Sequence, residues 1–114
     1  MTDCLFCKIV AGDIPADIVY RDDLITVFRD IHPKAAVHLL AIPNHHIASL
    51  DDLTEQDTAW VAHLTRLLPV IARENGLQDG FRTVVNTGPG GGQEVPHLHY
   101  HILGDVRDAD WRGF

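Results

Sequence analysis

Alternation of apolar and polar residues is clearest near the end of the chain, in residues 96–103. Three histidines alternate there with leucine, tyrosine and isoleucine in the run PHLHYHIL. Successive side chains of a strand point to opposite faces, so this period of two predicts a half-buried strand with all three imidazoles on one face. Same-face neighbours are then roughly 6.5–7 Å apart, which puts His97 and His101 about 13 Å apart. The three histidines are therefore expected to have different roles.

Four further segments have the composition of strands, at residues 18–20, 24–28, 37–42 and 81–86. The segment 37–42 is almost entirely apolar, which is typical of a central strand that is covered on both faces. Its one histidine, His38, is by itself as compatible with a buried structural histidine as with a functional one. Short links between these segments predict hairpin-like connections and an antiparallel sheet.

Two helices are predicted, a short one that begins near Leu5 and a long one that begins at Thr54. Thr54 is followed by an acid three residues later, which is typical of a helix N-cap, and Asn75-Gly76 predicts the helix end. His63, on the flank of this helix, is expected to be solvated. An apolar stripe at helical spacing predicts packing against the sheet. The stripe comprises Trp60, Leu64, Leu67, Leu68 and Ile71.

The length and composition fit one α+β domain over residues 1–114, with a five-stranded antiparallel sheet and one main helix. The chain has 46% hydrophobic and 22% charged residues, no apolar run of 18 residues and no signal-peptide layout. We therefore expect a soluble cytoplasmic protein with no membrane association. Nine basic and sixteen acidic residues give a net charge of −7, which argues against binding to a nucleic-acid backbone. A phosphorylated ligand should be small and held locally.

Cys4 and Cys7 are the only cysteines and form a C-x-x-C motif. They are too few and too close for the disulfide framework of a secreted protein, and a thioredoxin-like role needs a βαβ pattern that is absent. Two interpretations remain: a pair of reduced thiols without function, or half of a zinc site that two histidines complete. The second interpretation is favoured.

A glycine-rich loop, residues 87–94, precedes the histidine strand. It lacks the Lys-Ser/Thr ending of a P-loop, so alone it is as typical of a flexible turn as of a phosphate site. Beside the histidines, however, its backbone N–H groups are suited to anionic oxygens. A neutral imidazole is a competent nucleophile, and His99 has neighbours on both sides to orient it. These features predict attack of His99 on phosphorus through a phosphohistidine intermediate.

The pattern His-x-His-x-His in residues 97–101 resembles the signature of the histidine triad family. Further similar segments are FCKI, IPA, FRDI, HLLAIP and GGQEV, which begin at residues 6, 14, 28, 38 and 91. The end of the chain, with Leu103-Gly104 and Trp111, is more similar to the Hint branch than to the dinucleoside polyphosphate hydrolases. The resemblance implies a homodimer in which two five-stranded sheets join into one.

The resemblance also implies a hydrolase of purine nucleoside 5′-phosphoramidates, adenosine ones above all. His99 would attack the α-phosphorus and form a nucleotidyl-histidine, while His38 and His101 contact the phosphate and align His99. Glu94 stands where eukaryotic Hint proteins carry a small hydroxyl residue, which leaves the proton donor to the leaving group open. The implied nucleotide contacts are Asp30 at the ribose, Leu5, Phe6, Ile9, Phe28, Ile31 and Leu40 at the base, and Asn86, Gly92, Gln93, Glu94 and Val95 near the phosphate.

Many bacterial members of the family carry a zinc site, and the resemblance implies one here with the ligands Cys4, Cys7, His46 and His97. A closed Cys2His2 tetrahedron is structural rather than catalytic. His45 is the weaker alternative to His46. Two other functions stay open: a dinucleoside polyphosphate hydrolase or nucleotidyltransferase that uses the same histidine, and a non-catalytic, zinc-stabilised nucleotide-binding scaffold.

Overall fold

The computed structural model describes residues 3–105, so the predicted role of Trp111 lies outside the described residues. Within them, five strands form one antiparallel sheet in the order β1-β2-β3-β5-β4, which confirms the predicted α+β fold and the central place of β3. The strands are β1 (Ile18–Arg21), β2 (Ile25–Arg29), β3 (Val37–Pro43), β4 (Arg82–Val84) and β5 (Tyr100–Gly104); the helices are α1 (Leu5–Ala11) and α2 (Thr58–Glu74). None of the described helices is both long and apolar enough to cross a membrane.

The two helices cover opposite faces of the sheet. This follows from β3, whose alternate residues pack in two different hydrophobic clusters. Leu39 and Ala41 pack in the larger cluster under α2, whereas Leu40 and Ile42 pack in a smaller cluster under α1. The predicted stripe of α2 faces the sheet, with Leu67 only half-buried at its margin. Across the β3–β5 ladder, Leu40 pairs with His101, so His101 lies on the α1 face of the sheet.

The last strand is shorter than predicted, because its first ladder pair joins Tyr100 to Ala41. Residues 97–99 lie outside β5, so the prediction of a strand over the whole histidine run was wrong for them. The register would place residue 98 opposite Pro43, which has no backbone N–H for the ladder. The Leu98 N–H instead donates to the Ile47 carbonyl at 2.7 Å. In chain order, the histidine segment thus joins the sheet only at Tyr100, after its first two histidines.

The start of the long helix confirms the predicted cap with one difference. Thr54 caps a single 3-10 turn, Glu55–Asp57, through a capping box in which its own N–H donates to the Asp57 carboxylate at 2.9 Å. The α-helix then continues from residue 58 and ends at Asn75, after which Gly76 has a φ of +92°. Such a left-handed backbone favours glycine.

His63 is not simply solvated, contrary to the expectation from its place on the helix flank. Its Nε2 lies 2.6 Å from Asp22 Oδ2, and the Tyr20 hydroxyl donates to the same oxygen at 2.6 Å. The other carboxylate oxygen accepts the N–H groups of Leu24 and Ile25. Although partial burial opposes ionisation, these hydrogen bonds hold the pKa of Asp22 well below its usual range. Asp22 therefore ties the turn between β1 and β2 to α2.

Replacing Asp22 by alanine is expected to lower the free energy of unfolding by about 2–3 kcal/mol, because several partly buried donors lose their acceptor. Urea denaturation monitored by tryptophan fluorescence measures the change. The matched control is Asp23→Ala, which removes an exposed acid from the same turn and should stay within about 0.5 kcal/mol of the parent chain. Equal effects of the two substitutions would show that the Asp22 contacts are not a fold determinant.

Candidate active site

His99 is held in one orientation by a backbone group. Its side chain is buried, and Nδ1 lies 2.8 Å from the His97 carbonyl oxygen. A carbonyl accepts only, so Nδ1 carries the proton and the lone pair of the neutral ring is on Nε2. Burial lowers the pKa of His99, which keeps the ring neutral near pH 7. A neutral imidazole with its lone pair on a defined nitrogen is the state that nucleophilic attack requires.

A second pair of histidines forms a directed hydrogen-bond chain beside His99. The Lys34 N–H donates to His38 Nδ1 at 3.0 Å, so His38 carries its proton on Nε2 and donates it to His101 Nδ1 at 2.9 Å. The proton of His101 is then on Nε2. The rings of His99 and His101 are 5.0 Å apart at an angle of 63°. The chain therefore offers one N–H donor next to the neutral His99, which suits a phosphoryl oxygen.

Asp30 approaches the same nitrogen of His38 that contacts His101, with its Oδ2 3.5 Å from His38 Nε2. Together with His101, these groups are close enough to hold a metal ion. The hydrogen bond from Lys34 argues against that use, because it puts a proton on the His38 nitrogen that a metal would need. The arrangement is instead suited to proton donation.

Burial lowers the pKa of His38, and it lowers the pKa of His101 from 6.5 to about 4. Between these pH values the unfolded chain binds more protons than the folded chain, so the free energy of unfolding should fall as the pH is lowered from about 6.5 toward 4. Denaturant titrations across this range are expected to show a smaller fall for His101→Asn, which keeps an acceptor for His38 but does not titrate. If His101→Asn has the same pH dependence as the parent chain, His101 does not contribute to the loss of stability at low pH.

Four side chains converge at the start of α1. The donor atoms of Cys4, Cys7, His46 and His97 all lie within 4.8 Å of one another. His97 Nδ1 is 3.2 Å from Cys4 Sγ and 3.5 Å from Cys7 Sγ, and His46 Nδ1 is 3.3 Å from Cys7 Sγ. His97 Nε2 donates to the Pro43 carbonyl at 3.0 Å, which leaves the lone pair on the Nδ1 that faces the thiols. Two thiolates and two imidazoles so arranged fit a tetrahedral zinc ion.

The neighbouring His45 is turned away from this group of four. Its Nε2 lies 3.3 Å from Asp57 Oδ1, and its ring is edge-on to Trp60 at 5.6 Å. The Trp60 indole N–H donates to the same carboxylate oxygen at 2.8 Å. The structure thus brings His46, and not His45, to the two cysteines.

The residues predicted to surround the base are only partly together. Four of them form one buried cluster with Ile42 under α1, and Val95 packs against it. Leu5 and Ile31 are 45% and 84% exposed and lie outside that cluster. The four clustered residues are Phe6, Ile9, Phe28 and Leu40. The Phe6 ring is edge-on to that of His99 at 5.2 Å, so the apolar cluster borders the nucleophile.

The glycine-rich loop is tied down by its own amide side chains. Gln93 accepts the Gly88 N–H at 2.8 Å and donates to the carbonyls of Ala48 and Val95. Asn86 donates to the Gly91 carbonyl at 2.8 Å. The two predicted phosphate-side amides therefore shape the loop from within.

Of the other three residues predicted near the phosphate, Val95 packs against the apolar cluster instead, while Gly92 and Glu94 lie in the loop. Gly92 has a φ of +79°, a conformation that L side chains rarely adopt, and ends the one-turn helix Pro89–Gly91. Glu94 is exposed, and its negative charge acts to raise the pKa of His99 against the effect of burial. The loop thus brings one acidic side chain to the neighbourhood of the nucleophile.

Sequence reasoning missed the backbone groups of the site. The Lys34 N–H and the carbonyls of Pro43 and His97 decide which nitrogen of each imidazole carries the proton. No side-chain pattern reports such contacts, because every residue except proline has the same backbone donor and acceptor.

Comparison with known proteins places this geometry in a family. The sequence model described as scavenger mRNA decapping enzyme C-term binding matches residues 3–113. A HIT-like protein of Synechococcus elongatus is 52% identical over 109 residues, which cover 96% of this chain and 95% of that protein. The chain belongs to the histidine triad family.

Other members of the histidine triad family match over most of their length. The purine nucleoside phosphoramidase of Escherichia coli K12 is 43% identical over 103 residues, covering 90% of this chain and 87% of that one. A HIT family hydrolase of Legionella pneumophila has a solved structure that superimposes with a TM-score of 0.89 at 45% identity, covering 96% and 98% of the two chains. The triad signature in residues 97–101 is therefore part of a shared fold.

Proposed function

We propose that this chain is a nucleotide hydrolase that cleaves the P–N bond of purine nucleoside 5′-phosphoramidates through a nucleotidyl-histidine intermediate on His99. The observation that carries the proposal is the hydrogen bond from His99 Nδ1 to the His97 carbonyl, which leaves the lone pair on Nε2. The 43% identity to a purine nucleoside phosphoramidase supports the choice of substrate.

In the first step, His99 Nε2 attacks the α-phosphorus and forms an N–P bond while the P–N bond to the leaving amine breaks. The amine leaves with the electron pair of the broken bond and takes one proton from solvent, which regains a proton when water attacks in the second step. In the second step, water attacks the same phosphorus, which releases a nucleoside monophosphate and restores His99. The His101 N–H is suited to bind a phosphoryl oxygen in both steps, because the contact from Lys34 through His38 leaves the proton of His101 on Nε2.

The base and ribose are proposed to bind beside this centre. The aromatic edge of Phe6 and the cluster around Phe28 provide an apolar wall next to His99. Asp30, which lies beside His38 Nε2, is proposed to accept hydrogen bonds from the ribose hydroxyls. The net charge of −7 disfavours long polyphosphates, which is consistent with a substrate that has one phosphoryl group.

We further propose that Cys4, Cys7, His46 and His97 hold a structural Zn²⁺ ion. Their donor atoms and the direction of the His97 lone pair fit the ion, as described above. The bound ion would cross-link the start of α1 to the loop after β3 and to the triad segment. The ion would also hold in place the Phe6 ring, which lies 5.8 and 5.2 Å from the rings of His97 and His99.

A homodimer is proposed in which two sheets join edge to edge. Among the described strands, β4 lies at the edge of the sheet next to β5, and Phe81 beside it is 37% exposed. The edge strand of a sheet is suited to pair with a second copy. Sedimentation equilibrium should give twice the chain mass.

The substrate proposal is tested by comparing kcat/KM for an adenosine 5′-phosphoramidate and for a diadenosine polyphosphate. We expect the phosphoramidate to be preferred by at least about tenfold, with His99→Ala inactive on both. A preference for the diadenosine compound would instead establish the dinucleoside polyphosphate hydrolase. Nucleotide binding without turnover of either compound would establish the scaffold.

A further inference from the structure

His97 takes part in the metal centre and in the active site through different groups. Its ring Nδ1 faces the thiols of Cys4 and Cys7, while its backbone carbonyl accepts the proton of His99 Nδ1. We propose that the metal centre acts on the chemical step: by holding His97, it fixes the ring orientation and tautomer of His99. This inference rests on the proposed function and makes His97 a positioning residue.

The sheet does not hold this part of the chain. Ladder pairing of β5 begins at Tyr100, so the carbonyl of His97 lies outside the strand. The local backbone contacts are a turn from the His97 N–H to the Val95 carbonyl, at 2.8 Å, and the hydrogen bond from Leu98 to Ile47. Two side chains add to them: Leu98, which is fully buried in the larger cluster, and the His97 ring. A carbonyl placed in this way depends in part on the side chain of its own residue.

The His97 ring has one restraint from the fold and one from the metal centre. Nε2 donates to the Pro43 carbonyl at 3.0 Å, and Nδ1 points at the two thiols. The ring is fully buried, at 0% exposure. Without a metal, Nδ1 faces only the sulfur atoms, whose hydrogen bonds are weak. Metal coordination would therefore add a second strong polar contact to the His97 ring, which also packs against the rings of Phe6 and His46.

Phe6 gives the same centre a second contact with His99. It lies between the two cysteines in sequence, and its ring is edge-on to His97 at 5.8 Å and to His99 at 5.2 Å. Cys4 is the N-cap residue of α1, so the cysteines also determine where this helix begins. Loss of the metal would therefore relax His99 on two sides, at the carbonyl of His97 and at the ring of Phe6.

This coupling differs from a purely structural role in its kinetic effect. A structural role would loosen the apolar cluster and raise KM, but a saturated enzyme would keep its kcat. Displacing the nucleophile lowers kcat at saturating substrate, and losing an outer contact that orients such a group typically costs 10–100-fold. We expect the metal-free chain to lose about that factor in kcat.

Two adjacent histidines provide a matched pair of variants. His46→Gln removes an exposed ligand and its edge-on ring contact with His97 at 5.0 Å, but it leaves the identity of residues 97–99 unchanged. His45→Gln changes the neighbour that contacts Asp57. Both are measured with Zn²⁺ withheld by a chelator that the wild-type chain outcompetes, and again in excess Zn²⁺. The readouts are bound zinc, kcat at saturating phosphoramidate, and the ¹⁵N shifts of the His99 ring, assigned by comparison with His99→Ala.

The wild-type chain and His45→Gln are expected to keep zinc and one His99 tautomer, with the proton on Nδ1. His46→Gln should lose zinc, show a mixture of His99 tautomers and lose 10–100-fold in kcat, with recovery in excess Zn²⁺. His97→Gln, whose amide can still donate to Pro43, should show the same loss without recovery.

Three results would overturn the coupling. They are a wild-type chain that binds no zinc, His99 ring shifts that stay the same after metal loss, and a raised KM with unchanged kcat. None of them refutes the hydrolase, which is judged on the turnover of the zinc-loaded wild-type chain. Conversely, a zinc-dependent His99 tautomer in a chain that cleaves no phosphoramidate would support the coupling and refute the proposed function.

Discussion

His99→Gly is expected to lose phosphoramidate turnover by at least about 10⁴-fold while it still binds nucleoside monophosphate. The loss follows from the proposed covalent step, since the contact of His99 Nδ1 with the His97 carbonyl leaves the attacking lone pair on His99 Nε2. Steady-state kinetics with an adenosine phosphoramidate measure the rate, and calorimetry with the monophosphate measures binding.

Mass spectrometry after a short incubation distinguishes the covalent step from general-base catalysis. The wild-type chain should gain the mass of one nucleotidyl group, and His99→Gly should not. The control His32→Ala removes an exposed histidine near Asp30 and should form the adduct like the wild-type chain. An adduct on His99→Gly would assign the nucleophile to a different residue and refute the mechanism.

Cys4→Ser is expected to have the second-largest effect, on stability and on nucleotide affinity together. Serine keeps the N-cap acceptor that Cys4 provides to the Cys7 N–H, so the start of α1 should be preserved. Losing a structural metal ligand is expected to lower the free energy of unfolding by about 4 kcal/mol or more. Nucleotide binding should weaken by about tenfold, since Phe6 is no longer held against His99.

Elemental analysis, denaturant unfolding and calorimetry measure these three quantities. A chelator strong enough to remove zinc from the wild-type chain should lower its free energy of unfolding by the same amount and leave Cys4→Ser unchanged. This result separates metal loss from a local effect of the substitution. A wild-type chain without zinc, together with unchanged nucleotide affinity in Cys4→Ser, would leave the cysteines as ordinary reduced thiols.

The strands and helices could be predicted because each has a period that a single pass along the chain detects. The stripe that begins at Trp60 packs on the sheet, and the apolar run from residue 37 is the central strand. The place of His63 could not be predicted, since its partner Asp22 is 41 residues away in the sequence. The ends of the strands also differ by a few residues, as tertiary contacts compete with local preference there.

The sequence predicted which residues form the candidate site, but not how their side chains are oriented. The C-x-x-C motif indicates half of a metal site, yet only the fold shows that His46 turns to the cysteines while His45 turns to Asp57. Two adjacent histidines look alike in the sequence. Only the backbone conformation of the folded loop decides which way each side chain points.

The sequence by itself determined the fold class, the alternation that separates the imidazoles from the apolar side chains, and the family. The tertiary structure decided which nitrogen of each imidazole carries its proton. It also decided that the triad segment joins the sheet only at Tyr100. The reason is physical: hydrophobic periodicity is a property of neighbouring residues, whereas a tautomer depends on one backbone group brought close by folding. For His38 that group is the Lys34 N–H, and for His99 it is the His97 carbonyl.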